Sequence, residues 1–274
     1  MPTHNRGIRP TNYLLYQNGA PELVESAVIE EGLVCISVNG QELATFMCTP
    51  HRLEELALGF LRSEGIIQSQ ADIDLLTLSE SGTCVDVWLR DLSFDLPKRA
   101  IITSGCGGGV TFDDLSGRHT PLEGGPTITP GQIEQLMKQL HLSAELYNQV
   151  RGVHTSALSD GRDLLLVAQD VGRHNTIDRL WGQALQQSLP TAGKILLASG
   201  RISSEMLNKA AKMQIPIVVS RTSPTSLSLQ LGRAWNISII GYARGNRFRV
   251  YSAPERIAAE PRPVSVNGVT NGRE

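Results

Sequence analysis

Residues 163–188 read DLLLVAQDVGRHNTIDRLWGQALQQS, a continuous apolar segment that passes at once into a helical pattern. The same succession returns in KILLASGRISSEMLNKAAKM at 194–213, and again in IPIVVS at 215–220 with the TSLSLQLGRAW that follows it. Two further apolar segments, ISIIGYA at 237–243 and RFRVYSA at 247–253, complete the series. Continuous apolar strands that alternate with helices are typical of βαβ units. This part of the chain therefore predicts an α/β domain with a largely parallel sheet.

An arginine follows each of four predicted strands. These residues are Arg173, Arg201, Arg221 and Arg244, and Arg247 lies three residues beyond the last of them. In open α/β sheets, ligands bind beyond the carboxyl ends of the strands, where helix N-termini offer free N–H groups. A guanidinium suits phosphate because its planar donors can bind two oxygens at once. If the strands are parallel, the five arginines meet at one edge and predict a crevice for a phosphorylated ligand. The alternative is a set of ordinary ion pairs at a solvated edge.

The N-terminal half has a different pattern. Residues 25–49 read as two strands around the turn Asn39-Gly40, a strong hairpin signal. A helix should follow, with Thr49 as its N-cap, Pro50 at its first position and Gly65 at its end. Another amphipathic helix is predicted to open at residues 129–130.

These patterns divide the chain into four parts. Residues 1–22 are an N-terminal extension, and 23–125 form a smaller α+β domain that ends in a glycine-rich loop. Residues 126–257 form the α/β domain, and 258–274 are a disordered tail. The predicted class is α/β, with the larger layered domain at the C-terminal end.

One of the four cysteines, Cys106, lies among glycines in SGCGGG at 104–109. A cysteine used only for packing is normally found on a strand or helix among apolar neighbours. The sequence around Cys35, Cys48 and Cys84 is strand-like, so we expect these three to be small buried hydrophobes with reduced thiols. Cys106 is therefore the candidate for a reactive sulfur on a flexible loop.

Composition excludes several classes of protein. The formal net charge is −2, so no global field attracts nucleic acid. No apolar run reaches the roughly 18 residues of a membrane span, and the first residues lack the apolar core of a secretory signal. We therefore expect a cytoplasmic protein with neither nucleic acid nor membrane as a partner.

The histidines and carboxylates give weaker signals. His154 precedes a strand and His174 stands beside an arginine, but no Cys-x-x-Cys pair or His-x-Glu motif accompanies them, so no metal site is predicted. Asp170 and Asp178 resemble a pair of acid–base carboxylates, although helix capping by Asp170 is the preferred interpretation.

Six blocks of this sequence resemble, in order, those of the FdhD family. They are TPHRLEELALGFLRSEGII, SGCGGG, GVHTSAL, QDVGRHNTIDRLWG, LLASGRISSEMLNKAAKMQIPIVVSRTSPTSLSLQLG and IIGYARGNRFRVY, between residues 49 and 251. The resemblance covers roughly residues 20–257. It implies a C-terminal three-layer α/β domain similar to the cytidine-deaminase fold, without its zinc site, and a smaller N-terminal α+β domain.

The resemblance also implies a function. Members of the family are sulfurtransferases that take persulfide sulfur from a cysteine desulfurase. They pass it to the molybdenum bis-guanine-dinucleotide cofactor before that cofactor enters formate dehydrogenase. The cofactor would be a bound substrate, GDP would mimic it, and a homodimer is expected. By this likeness Cys106 carries the sulfur, and the cofactor-binding segment is Tyr242, Ala243, Arg244, Gly245, Asn246 and Arg247.

The sequence departs from the family pattern at one position. Many members have a second cysteine three residues after the first, where this chain has Gly109. A persulfide therefore cannot pass between two cysteines of this loop, and Cys106 would act alone. Two alternatives remain: a chaperone that binds the cofactor without transferring sulfur, and a nucleotide-converting enzyme that kept deaminase-like chemistry.

Overall fold

A computed structural model describes residues 7–93, 101–102, 110–111 and 119–259. The described strands are β1 (Ile8–Gln17), β2 (Ala20–Ile29), β3 (Gly32–Val38), β4 (Gln41–Cys48), β5 (Ile73–Leu78), β6 (Cys84–Leu89), β7 (Ile101–Ile102), β8 (Val110–Thr111), β9 (His154–Ser159), β10 (Leu164–Asp170), β11 (Ile195–Ala198), β12 (Ile217–Ser220), β13 (Ser238–Arg244) and β14 (Arg247–Ser252). The described α-helices are α1 (Leu53–Ser63), α2 (Pro130–Leu142), α3 (Glu145–Val150), α4 (Arg173–Gln186), α5 (Ser204–Lys212) and α6 (Ser226–Ala234).

The first two strands form a two-stranded antiparallel hairpin. Asn18 and Gly19, both at positive φ, make its two-residue turn. The hairpin runs from Ile8 to Ile29 and therefore crosses the predicted boundary between an extension at 1–22 and a domain at 23–125. Beyond its base, most of the hairpin's side chains are exposed.

Strands β4, β3, β6 and β5 form a four-stranded sheet in that order. The β3–β4 hairpin turns at Asn39 and Gly40, as predicted. One face of the sheet, with Val34, Ile36 and Val87, packs against α1 in a buried apolar core.

Cys35 and Cys84 are joined by a disulfide, so the prediction of reduced, separately buried thiols is wrong for this pair. The two residues are direct register partners on the parallel strands β3 and β6, with Cα atoms 4.5 Å apart. Their partnership depends on strand pairing across 49 residues of sequence. No local sequence pattern predicts a pairing between residues so far apart in the chain.

Helix α1 begins three residues later than predicted. Its N-cap position is Arg52 in a left-handed conformation, not Thr49. Thr49 is completely buried, and its backbone N–H and side-chain oxygen bond to Asp170 and to the N–H of Val171. The threonine therefore joins the two halves of the molecule instead of capping the helix.

The C-terminal sheet has six strands in the order β10-β9-β11-β12-β13-β14. The prediction of a largely parallel sheet is only partly correct, because β9 and β14 run antiparallel to their neighbours. Helices α4 and α5 pack on one face and α2 on the other, each with its own apolar core. This is the three-layer α/β arrangement that was predicted. Thr129 and Pro130 open α2 with a capping box, also as predicted.

Helices α1 and α4 pack with their backbones almost in contact. A Cβ at Gly59 of α1 would collide with the carbonyl of Asp178, and one at Gly182 of α4 with the carbonyl of Glu55. Glycine is required at both crossing points. This contact fixes the four-stranded sheet against the C-terminal domain.

Candidate functional site

The four predicted arginine-bearing turns lie at one edge of the C-terminal sheet, although that sheet is mixed. Strand β9 is antiparallel to both of its neighbours, β10 and β11, so those two strands run in the same direction. Strands β12 and β13 are parallel to β11. The carboxyl ends of all four strands therefore lie at the same edge, together with the start of β9 at His154.

A cavity of about 340 Å³ opens at this edge. Its floor comes from the strand ends and its wall from α2 and α3. The lining residues are Leu140, His141, Ala144, Tyr147, Val153, His154, Thr155, Ser199, Arg221, Thr222 and Arg244. The volume lies within the range of small-molecule sites, which is roughly 300–1,000 Å³.

The five predicted arginines differ in their exposure and in whether they line the cavity. Arg221 and Arg244 line the cavity, and Nε of Arg244 donates to the carbonyl of Arg221 at 3.2 Å. Arg173 is buried beside Gly200, while Arg201 is exposed. Arg247 is exposed in the β13–β14 turn and does not line the cavity. Two of the five therefore face the cavity directly.

His154 begins β9 at this charged edge, between the ends of β10 and β11, and it lines the cavity. A Cβ at Gly200 would come within 3.0 Å of its Nδ1 and 3.2 Å of Cβ of Arg173, so glycine permits their close packing. Burial, followed by the charges of Arg173 and His174, holds the pKa of His154 below its usual range. The imidazole is therefore neutral at physiological pH and can accept or donate a hydrogen bond there.

The segment from Tyr242 to Arg247 forms the end of β13 and the turn into β14. The ring of Tyr242 lies 4.3 Å from the Arg249 guanidinium, and Ala243 is buried in the core against α2. Gly245 and Asn246 are exposed at the turn. Within this segment, Arg244 is the residue that lines the cavity.

His174 does not line the cavity and lies in a buried network. Its Nε2 lies 2.8 Å from the Ser203 hydroxyl and its Nδ1 3.0 Å from a carboxylate oxygen of Glu205. Burial lowers its pKa, although Glu205 opposes that shift. The histidine thus connects the start of α4 to the start of α5.

Asp170 and Asp178 do not form a catalytic pair. Asp170 is bound by Arg179 and by the N–H of Gly172, and Asp178 forms a buried ion pair with Lys209. Capping of α4 by Asp170 is also not observed, because the N-cap position is Gly172 and has no side-chain cap. Both carboxylates hold helix α4 in place.

The helical wall of the cavity was not predicted from the sequence. Leu140, His141, Ala144 and Tyr147 line it from α2 and α3. Their spacing indicated only an amphipathic helix, because its packing partner was unknown. Thr155 and Ser199 could have been predicted from the sequence. Thr155 lies near the start of β9 and Ser199 directly after β11, both at the edge that carries the arginine-bearing turns, hereafter the arginine edge.

The candidate sulfur carrier, Cys106, lies outside the described residues, as do the glycines on either side of it. Of the other cysteines, Cys48 is free and buried, as predicted. Burial, with the charge of Asp170, raises the pKa of its thiol to about 12. Cys48 is therefore unreactive as a nucleophile near neutral pH.

The described residues provide neither a metal-binding cluster nor a membrane-spanning helix. No cluster of three or more His, Cys, Asp or Glu side chains in them is arranged to hold a metal ion. None of their helices combines the length and apolarity needed to cross a bilayer.

Comparisons with known proteins agree in pointing to one family. The model of the FdhD/NarQ family matches residues 29–258. The "Sulfur carrier protein FdhD" of Staphylococcus haemolyticus is 38% identical over 250 residues, which is 89% of this chain and 94% of the relative. The protein of the same name from Bacillus subtilis is 39% identical over 249 residues, or 88% and 94% of the two chains.

A solved structure is also similar. It is a crystal structure from Desulfotalea psychrophila, described as that of a formate dehydrogenase accessory protein. It superimposes with a TM-score of 0.77 at 27% identity, and the match covers 92% of this chain and all of the other. Each of these matches covers more than four fifths of the chain, and the chain belongs to the FdhD/NarQ family.

Proposed function

We propose that this chain is a sulfur carrier for formate dehydrogenase. It would accept persulfide sulfur on Cys106 from a cysteine desulfurase. It would then deliver that sulfur to the molybdenum bis-guanine-dinucleotide cofactor, held as substrate at the arginine edge. The names of the relatives support the sulfur-carrying role. The observation that carries the binding half of the proposal is the 340 Å³ cavity lined by Arg221 and Arg244.

The edge is suited to a phosphorylated ligand for two reasons. Guanidiniums from the ends of two neighbouring strands, β12 and β13, line the cavity and provide charge-assisted donors. Helices α4, α5 and α6 also begin just after β10, β11 and β12, so their positive ends lie at this same edge. A dinucleotide with several phosphates matches this distribution of positive charge.

The wall of the cavity suits the rest of a nucleotide. Tyr147 and Leu140 provide aromatic and apolar surface, while Thr155, Ser199 and Thr222 provide hydroxyl groups. Ligand sites commonly combine such an apolar lining with a few polar groups that fix orientation. The guanine base and sugar would lie against this wall, with the phosphates toward Arg221 and Arg244.

The sulfur-accepting step is a thiol exchange. The Cys106 thiolate attacks the outer sulfur of the donor's persulfide, a new S–S bond forms on Cys106, and the donor leaves as a thiolate. No external oxidant or reductant is needed for this step. With Gly109 in place of a second loop cysteine, Cys106 would hold the sulfur until delivery.

The carrier step is tested by incubating the protein with a cysteine desulfurase and cysteine, then mapping persulfides by mass spectrometry. We expect one added sulfur on the Cys106 peptide and none on the Cys48 peptide, because that thiol is buried and protonated. Added sulfur on the other cysteines, with none on Cys106, would refute the carrier role. A Cys106→Ser variant that still supports formate dehydrogenase activity would instead favour a non-catalytic chaperone.

The proposal that the arginine edge binds the guanine dinucleotide is tested with GDP. Arg244→Ala should weaken GDP binding about tenfold, because one charge-assisted contact is lost. The matched control is Arg162→Ala, an exposed arginine in the β9–β10 turn, at the opposite edge of the sheet. Equal GDP affinity in the two variants, measured by calorimetry, would remove Arg244 from the site.

A further inference from the structure

His154 belongs both to the cavity lining and to the charged strand ends. Its side chain lines the cavity, and as the first residue of β9 it lies between the ends of β10 and β11. Directly across from it in the register is Asp170, the last residue of β10. After β11, Gly200 packs against the ring, because a Cβ at that position would lie 3.0 Å from Nδ1 of His154. A ligand that enters the cavity would therefore meet a histidine that is packed among the residues of the arginine edge.

The charges around His154 are mostly positive. The basic groups beside it at the start of α4 and after β11 are Arg173, His174 and Arg201. Burial, followed by these charges, holds the pKa of His154 below its usual range. Asp170 acts against them, but its carboxylate is itself paired with Arg179 at 2.7 Å. In the protein alone the imidazole is therefore neutral at physiological pH.

The rest of the cavity lining adds positive charge and no acidic group. Its other ionisable side chains are Arg221 after β12, Arg244 at the end of β13, His141 on α2 and Tyr147 on α3. Among the described residues that line the cavity, none is a carboxylate. A bound anion would therefore oppose the positive charges that keep His154 neutral, and it would favour the imidazolium.

We propose that His154 takes up a proton when a phosphorylated ligand binds in the cavity, and that the imidazolium then donates a hydrogen bond to a phosphate oxygen. This inference rests on the proposed binding of the guanine dinucleotide at the arginine edge. The proton comes from the solvent and adds to the unprotonated ring nitrogen, so no bond of the ligand breaks. Because binding and protonation are linked, each favours the other, and the ligand should bind more tightly at lower pH.

Two other histidines lie near this site and are distinguished from His154 by position. His174 already has partners at both nitrogens, the Ser203 hydroxyl at 2.8 Å and a Glu205 carboxylate oxygen at 3.0 Å, and it does not line the cavity. His141 does line it, but from an exposed position on the helical wall instead of at the strand ends. His141 is therefore the matched comparison for His154.

The probe is GDP-mannose, in which the outer phosphate of GDP is esterified. A terminal phosphate monoester has a second pKa near about 6 and would itself exchange protons on binding. The two phosphates of the esterified compound have no such group, so protons that are taken up come to the protein. Titration calorimetry of the full chain in two phosphate-free buffers of different ionisation enthalpy counts these protons, and the same titrations give the dissociation constant.

An opposite charge within about 4–6 Å changes a pKa by roughly 1 or more. We therefore expect the wild type to take up about 0.2–0.5 proton per ligand at pH 7, and to bind about three- to eightfold more tightly at pH 6 than at pH 8. His154→Gln keeps a hydrogen-bond donor that does not titrate, so its proton count should fall to about zero and its affinity should lose this pH dependence. His141→Gln, whatever its effect on affinity, should keep the wild-type proton count.

The wild-type proton count tests the inference even without the variants, and circular dichroism checks that both variants are folded. Binding of GDP-mannose without proton uptake would overturn the inference and leave the proposed binding function intact. Proton uptake that persists in His154→Gln, or that is lost in His141→Gln, would also overturn it. Failure of the wild type to bind GDP-mannose at both pH 6 and pH 8 would instead refute the proposed binding function, and this inference with it.

Discussion

At the scale of single residues, Arg179 joins the two parts of the molecule through buried hydrogen bonds. It is 1% exposed, and all five of its N–H groups have acceptors. Nε and Nη2 bond to Asp170 at 2.8 and 2.7 Å, and the remaining donors reach the carbonyls of Thr49, His51 and Arg52. A planar fork with five donors fits this set, whereas the three donors of an ammonium do not.

Replacing Arg179 with lysine should therefore lower the free energy of unfolding by about 2–4 kcal/mol, because buried carbonyls lose their donors while Asp170 keeps a weaker partner. Urea denaturation measures this loss. Arg233→Lys, at an exposed position on α6, is the control and should change stability by less than about 0.5 kcal/mol. Equal midpoints for the two variants would contradict this account of Arg179.

His51 links stability to pH. Burial, with the charges of Arg179 and Arg52, lowers its pKa from 6.5 to about 4. On acidification the unfolded chain binds a proton near pH 6.5, while the folded chain does not until about pH 4. Stability is therefore lost as the pH falls through this window.

Between about pH 7.5 and pH 5.5, His51 should account for a loss of about 1 kcal/mol in unfolding free energy. The His51→Gln variant should lack this part of the pH dependence in urea titrations. His141→Gln, at an exposed histidine, should retain the wild-type dependence. A His51→Gln curve parallel to that of the wild type would refute the assignment.

Some residues of the arginine-bearing edge were predictable from the sequence, whereas the role of Arg179 was not. The DVGRHN block indicated that residues 170–175 matter, and His154 and the arginines were placed at strand ends from the local pattern alone. The role of Arg179 was not predictable, because its carbonyl acceptors lie about 130 residues away in sequence. Backbone acceptors have no sequence signature.

At the scale of elements, the crossing of α1 and α4 depends on two glycines. Gly182→Ala should lower the unfolding free energy by at least about 2 kcal/mol, because the new methyl group meets the backbone of Glu55, which cannot move without displacing α1. Gly59→Ala should act similarly through the carbonyl of Asp178. Chemical denaturation measures both effects.

The control for these variants is Gly32→Ala in β3. Its nearest neighbour would be Pro50 at 3.7 Å, an ordinary contact. This variant should be close to wild type in stability. If Gly182→Ala were as stable as Gly32→Ala, the backbones of α1 and α4 would have to lie farther apart at their crossing than the structure shows.

Elements with local signals were predicted well. The Asn39-Gly40 hairpin and the capping box at Thr129 follow from residues adjacent in sequence, and both are observed. Three features were missed because each depends on distant partners: the use of Thr49 between domains, the direction of β9, and the Cys35–Cys84 disulfide. The arginine edge was nevertheless placed correctly, because β9 interrupts the sheet without reversing the strands beside it.

At the scale of the whole molecule, the two sheets should unfold together. The α1–α4 crossing and the bonds of Arg179 tie the four-stranded sheet to the six-stranded sheet through buried contacts. Scanning calorimetry at a concentration where the chain is monomeric should therefore give one transition, with equal calorimetric and van't Hoff enthalpies. Two resolved transitions in the wild type would show that the sheets are independent folding units.

The convergence of four strand ends on one edge has a consequence for the protein without its ligand. Cationic side chains at one edge repel each other, so the architecture that would attract phosphates also weakens the native state. Neutralising the exposed Arg201 by Arg201→Gln should raise the melting temperature at low salt, and added salt should abolish that gain. GDP should stabilise the wild type more than the variant. The chain would thus be at its least stable while its crevice is empty, and its lifetime in a cell would depend on the supply of its own cargo.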